Sequence, residues 1–293
     1  MSTNFSNHAK TAALMAMLMA LFGLAGHFVT GGNPMGIAGF LVFGGLMNVV
    51  AWFFSDTIAI KSMRGQLVDP TDTRLIAGGS LSQRDLHEMT VEMAEGAGLP
   101  MPKLYICPQQ APNAFATGRS PKKSAVAVTA GLCAYMNRDE VRGVIAHELA
   151  HIKNRDTLIS MIAATIAGTL AFLAQWGMFL GVGRDSRGAN PLVMFAVLIL
   201  AAVGAALIQM AISRSREFAA DREGAVIAGD PRGLMSALGK LDQLSRKIPL
   251  QQPNPAQNNL FIVEPLAGGK TLVNMFATHP PVEKRVAALQ QLL

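Results

Sequence analysis

The chain has 293 residues, 51% of them hydrophobic and only 15% charged, with a mean hydropathy of +0.32. This balance excludes a disordered chain, a disulfide-stapled secreted miniprotein and a collagen-like repeat, and it points to a membrane protein. The net charge of +6 does not indicate nucleic acid, because Lys and Arg gather at the ends of apolar runs and only two Tyr and two Trp are available for stacking.

No Asp, Glu, Lys or Arg occurs between Lys10 and Asp56, between Asp156 and Arg184, or between Arg187 and Arg214. Each gap has room for spans of about 20 apolar residues, the length that crosses about 30 Å of hydrocarbon. The first holds two spans, about Thr11 to Val29 and about Met35 to Phe54, separated by the turn-forming Thr30, Gly31, Gly32, Asn33 and Pro34. The pattern predicts a helical hairpin; a signal peptide with Lys10 in its charged region is the rival for the first arm.

A polar segment follows. Ser82 and an alternating apolar pattern through Glu95, ending at Gly96 and Gly98, predict a capped helix. Lys103 to Cys107, about Ala114 to Thr117, and Ala125 to Thr129 read as strands of a small antiparallel sheet. Cys107 and Cys133 lie in this segment and read as free thiols of a reducing compartment. A third span, about Leu158 to Val182, and a fourth, about Leu192 to Ile212, are joined by the loop around Arg184, Asp185, Ser186 and Arg187. A buried hairpin of a large soluble core is the alternative for this pair. Beyond it, Asp230 to Leu244 reads as a helix and Pro249 to Asn259 as a polar loop. Pro281 to Leu293 reads as an amphipathic helix with Val282, Val286, Leu289 and Leu293 on one side.

With both termini cytoplasmic, Lys10, Lys61, Arg64, Lys153, Arg155, Arg214 and Arg216 fall on the inner side and only Arg184 and Arg187 face out. The two polar segments then share the cytoplasmic face. The expected divisions are an N-terminal transmembrane hairpin over 1–54, a first catalytic part over 55–157, a second hairpin over 158–212 and a second catalytic part over 213–293.

Asn137 followed by Glu140 has the spacing of a capping box, which starts a helix running through His147, Glu148 and His151 in the pattern H-E-x-x-H. Positions four apart on a helix stand one above the other, so both imidazoles point the same way about 6 Å apart. Two neutral imidazoles supply half of a tetrahedral zinc shell, and a third protein ligand leaves one position for water. Glu148, beside them, suits the general base that takes a proton from that water as it attacks a peptide carbonyl.

The fourth span returns the chain to the same membrane face just before Glu217, the natural candidate for the third ligand. Asp221 follows one turn later, where it can accept the second N–H of a liganding histidine. Read from spacing alone, Glu217 and Asp221 also fit a juxtamembrane charge cluster with Arg214, Arg216 and Arg222.

Four stretches together, His147 to Asp156 (H-E-L-A-H-I-K-N-R-D), Ser213 to Asp221 (S-R-S-R-E-F-A-A-D), Asn113 to Gly118 (N-A-F-A-T-G) and Thr278 to Pro281 (T-H-P-P), resemble the signatures of the HtpX family. These are bacterial membrane zinc metalloproteases related to the CAAX prenyl endopeptidases, and the likeness extends over nearly the whole chain. The resemblance implies His147, His151 and Glu217 as ligands of one zinc ion per chain, Glu148 as base and Asp221 as the carboxylate that orients a ligand. It also implies that Asn113, Ala114 and Phe115 border the cleft and pair with an extended substrate, as when a peptide adds to a sheet edge; an ordinary loop-to-strand connection is the alternative. His279, ahead of two prolines, reads with Arg285 as a cation near the oxyanion, or else as a cap for the last helix.

The expected fold is an α-helical integral membrane protein of four transmembrane helices carrying a mainly α, zincin-like α+β cytoplasmic catalytic domain. The expected activity is a zinc endopeptidase of the bacterial inner membrane with its site at the cytoplasmic face, and the resemblance implies that it cuts misfolded or damaged membrane proteins. The lipid bilayer and membrane-protein substrates are its partners. Asp139, Glu140, Arg142, Lys153 and Arg155 flank the histidines and would be costly in hydrocarbon, which disfavours cleavage inside the membrane. A zinc-binding membrane scaffold or chaperone would use the same ligands but leave Glu148 without a task. A transporter needs ionisable residues along its spans, and only His27 qualifies.

Overall fold

The computed structural model describes residues 12, 15–16, 19–20, 22–27, 29–157, 214–245, 247–248 and 280–293. The expected spans at 158–182 and 192–212, the loop at 249–259 and His279 lie outside the described residues. The chain divides into two compact units, Met1–Phe54 with Ile159–Gln209, and Ser55–Leu158 with Met210–Leu293.

Helical residues 22–27 turn through residues 30–33 into helix α1, Pro34–Ser62, whose residues up to Phe54 belong to the first unit and whose last turns belong to the second. The turn is built from local chemistry. Gly31 and Gly32 take φ of 62° and 82°, the Thr30 hydroxyl donates to the Gly26 carbonyl at 2.7 Å, and Asn33 Oδ1 accepts from the Met35 amide at 2.9 Å. Phe22 packs edge-on against Phe43 with centroids 5.8 Å apart, and a Cβ on Gly44 would stand 2.3 Å from the Phe22 ring. Met35, Val42, Leu46, Val49 and Phe53 on α1 are exposed. Among the described residues no helix is long and apolar enough to cross a membrane.

The second unit is built on a four-stranded sheet of β1 (Gln66–Leu67), β2 (Lys103–Cys107), β3 (Ala114–Ser120) and β4 (Lys123–Thr129), in the order β1-β2-β4-β3. The sheet is mixed, which corrects the antiparallel expectation: β1–β2 and β3–β4 are antiparallel, but β2 runs parallel to β4. The hairpin β3–β4 folds so that its second strand lands beside β2 and its first becomes the outer strand. Strand-by-strand alternation does not encode that choice.

β4 is buried on both faces. Val126 and Val128 join Leu104 and Ala114 in the main core, while Ala125 and Ala127 pack with Cys107, Phe115, Ile60 and Met63. On the main-core side lie α2 (Gln83–Gly96), the short α3 (Ala130–Tyr135) and α4 (Arg138–Asn154). They are followed by helix α5 (214–228), α6 (Arg232–Ser245) and α7 (Val282–Gln290). Ser82 caps α2 and Asn137 caps α4 by reciprocal capping boxes, with Glu140 N to Asn137 Oδ1 and Asn137 N to Glu140 Oε2 both at 2.9 Å. On α7, Leu289 is buried, Val282 and Val286 pack against the core, and Leu293 is exposed.

Helices α4 and α6 meet through glycines. A Cβ on Gly143 would come within 2.4 Å of the Leu234 nitrogen, and one on Gly233 within 2.3 Å of the Asp139 carbonyl oxygen. The buried Glu140 carboxylate then accepts from Ser236 Oγ at 2.6 Å and Lys240 Nζ at 2.8 Å, so the cap of α4 is also its tie to α6.

Candidate metal centre

Helix α4 carries His147 and His151 one turn apart, and their rings stand edge to face with centroids 4.6 Å apart. Helix α5 brings Glu217 to them, because Gly224 lets the two backbones approach: a Cβ there would lie 3.0 Å from His147 Cα and N. The two Nε2 atoms are 3.1 Å apart, His147 Nε2 is 3.5 Å from Glu217 Oε2, and His151 Nε2 is 3.5 Å from Glu217 Oε1. Ligands about 2.0–2.1 Å from a tetrahedral zinc stand about 3.3 Å from one another, so the set fits such an ion in both spacing and donor chemistry. These three residues form a group able to hold a metal ion.

A layer of buried charge surrounds them. Asp221 Oδ1 lies 3.0 Å from His147 Nδ1, an ion-pair distance with the ring N–H not aimed squarely at the oxygen. Asp221 is in turn gripped by the fully buried Arg285, whose Nε donates to Oδ2 at 2.8 Å and a terminal nitrogen to Oδ1 at 2.6 Å. Arg285 also stands 3.3 Å from Glu217 Oε2 and 3.4 Å from His147 Nε2.

Burial opposes ionisation of Asp221, but Arg285 and His147 overcome it and hold the carboxyl at about 2. For His151, burial opposes the charged form, yet hydrogen bonds to Asp156 and Glu217 outweigh it and push the pKa up to about 10. His147 moves in the same direction, against burial, through Asp221 and Glu217. The negative potential at the two imidazoles therefore favours a cation there.

Glu148 is buried beside this group, and its charge favours the cationic forms of His151 and Arg285. Asn113, Ala114 and Phe115 are buried where the chain enters β3, with Ala114 opposite Val128 and Phe115 opposite Ala127. The Asn113 amide donates to Thr129 Oγ1 at 2.9 Å, which fixes the start of the outer strand. Arg222 is exposed, Glu217 and Asp221 face the histidines and Arg285, and Arg216 lies within electrostatic reach of Glu217.

Two features escaped sequence reasoning. Asp156 Oδ2 is hydrogen-bonded to His151 Nδ1 at 3.2 Å, a pairing created by a left-handed turn at Arg155 that no periodicity signals. Gly224 has no local turn role, and its need appears only once α4 and α5 are in contact.

The model of peptidase family M48 matches residues 80–293, which include every residue of this centre. The chain belongs to peptidase family M48. A Protease HtpX homolog of Burkholderia thailandensis is 45% identical over 290 residues, 98% of this chain and 97% of that one. Homologues in Burkholderia mallei and Burkholderia pseudomallei match at the same identity and extent. Among solved structures, Ste24p of S. mikatae aligns over 97% of this chain and 66% of that one, with a TM-score of 0.53 and 16% identity, a likeness of fold. The M48 assignment makes this chain a metalloprotease, and the His147–His151–Glu217 group is where its metal can bind.

Proposed function

We propose that the chain is a zinc-dependent endopeptidase with His147, His151 and Glu217 as the ligands of one zinc ion and Glu148 as general base. The observation that carries this is the spacing of the three donor atoms, 3.1 to 3.5 Å, from two helices packed at a glycine. Zinc held there would supply Lewis acidity, lowering the pKa of a water toward about 7.

The chain's own groups do the rest. Glu148 takes a proton from the attacking water and passes it to the amine released when the C–N bond breaks. Asp221 holds the tautomer and orientation of His147, and Arg285 keeps Asp221 ionised while presenting a buried cation to the developing oxyanion, with His279 as its partner. An extended substrate lies along β3 near Asn113, Ala114 and Phe115, where backbone pairing gives affinity with little sequence demand.

The membrane setting is part of the same proposal. Four spans with both termini and both catalytic parts on the cytoplasmic side of the bacterial inner membrane account for the charge-free stretches, the positive residues at their ends and the exposed apolar side chains of α1. Misfolded or damaged membrane proteins are the substrate class that the HtpX likeness suggests, with the bilayer as the second partner.

Glu148→Gln tests the chemistry. It should retain about one zinc per chain and lose cleavage of an unfolded substrate such as casein by at least about 100-fold, the scale of general-base catalysis. Cleavage at the wild-type rate by zinc-loaded variant, freed of contaminating proteases, would remove Glu148 from the mechanism. Bound zinc without any proteolysis in the wild type would instead favour a zinc-binding scaffold.

A further inference from the structure

We infer that Asp156 is a positioning residue of the metal centre, holding His151 as Asp221 holds His147; this deepens the zinc reading above and rests on it. Helix α4 ends at Asn154, and Arg155 caps it in the left-handed conformation at φ 58° and ψ 30°, its amide donating to the carbonyls of His151 and Ile152. A non-glycine residue in that region is uncommon and costs conformational energy. The reversal turns the chain back along the helix it has just left. It delivers the Asp156 carboxylate to His151 Nδ1 at 3.2 Å, on the side of the ring away from Nε2, which faces His147 and Glu217.

The two histidines are thereby supported alike. Each has a buried carboxylate at Nδ1, Asp221 at 3.0 Å and Asp156 at 3.2 Å, and each carboxylate has an arginine within electrostatic reach, Arg285 for the first and Arg216 for the second. Of the two contacts, His151–Asp156 has the better hydrogen-bond alignment. A carboxylate accepting from Nδ1–H leaves the Nε2 lone pair for a metal, fixes the ring plane and raises the basicity of the ligand. The next residue is tied elsewhere: Thr157 Oγ1 donates to the Gly118 carbonyl at 2.9 Å, at the irregular end of β3, and makes no contact with His151 in this network.

The test uses the full-length protein in detergent, zinc affinity by competition with a chromophoric chelator, and the d–d absorption of the cobalt(II)-substituted protein. Asp156→Ala should weaken zinc binding about 10- to 100-fold and shift the cobalt bands, with Asp156→Asn intermediate. Thr157→Val removes the neighbouring bond without touching His151 and should bind zinc within about twofold of wild type, as a merely structural turn would not predict. Asp156→Asn, nearly isosteric, serves if the alanine variant does not fold. Affinity within twofold of wild type and unshifted cobalt bands in both Asp156 variants, beside a weakened Asp221→Asn, would overturn the inference and leave the zinc reading intact. Equal losses in Thr157→Val and Asp156→Ala would also overturn it, and a wild type that binds no zinc would overturn both.

Discussion

A histidine sealed inside a protein needs both ring nitrogens engaged, and the surroundings of His147 and His151 are what make H-E-x-x-H more than a letter pattern. His147 is 1% exposed, with Glu217 toward one nitrogen and Asp221 toward the other. Spacing alone leaves Glu217 open to a juxtamembrane charge cluster as well; in the fold it is buried, 3.5 Å from each histidine Nε2 and 3.3 Å from Arg285. The cysteines give an independent check at this scale. Cys107 and Cys133 are free and buried, and burial pushes both thiols up to about 12. Native protein at about pH 8 should therefore resist iodoacetamide at both positions while denatured protein takes up two labels, as counted by intact mass. Rapid double labelling of the native protein would contradict this packing.

At the scale of elements, the centre depends on two helices far apart in sequence lying unusually close. Gly224 sets that distance, so Gly224→Val should push α5 off α4, at a cost of about 1–3 kcal/mol. The expected result is a lower Tm and zinc affinity reduced at least about tenfold, read by thermal melting and chelator competition. Wild-type values for both would show that the approach is not needed. The comparison with sequence follows the same division. The capping box of Asn137 and Glu140, strand β2 and the Ser82-capped helix were legible because their signals lie within a few residues. The parallel pairing of β2 with β4 was not, because it depends on which side of a hairpin faces its predecessor. Asp156 has no role legible in the sequence, since only the left-handed turn at Arg155 aims it at His151.

For the whole molecule, composition was the most informative signal, and it spoke about surroundings rather than chemistry. Three charge-free stretches and the clustering of basic residues at their ends are the basis of the four-span proposal. The four-span proposal makes a direct prediction for the loop between the third and fourth spans. A reporter fused at Ser186 should be active only if it functions outside the cytoplasm, such as alkaline phosphatase, and a cytoplasmic reporter there should be silent. The opposite pattern would place Arg184 and Arg187 inside and break the proposed topology.

The claim on which the chemistry turns is that two segments, separated in sequence by the second apolar region, close on a single ion. Metal analysis of purified wild type beside Glu217→Ala measures it most directly. About one zinc per chain in the wild type and less than about a tenth of that in the variant, with helical content unchanged by circular dichroism, is the expected result. Equal zinc in the two proteins, or none in the wild type, would contradict it.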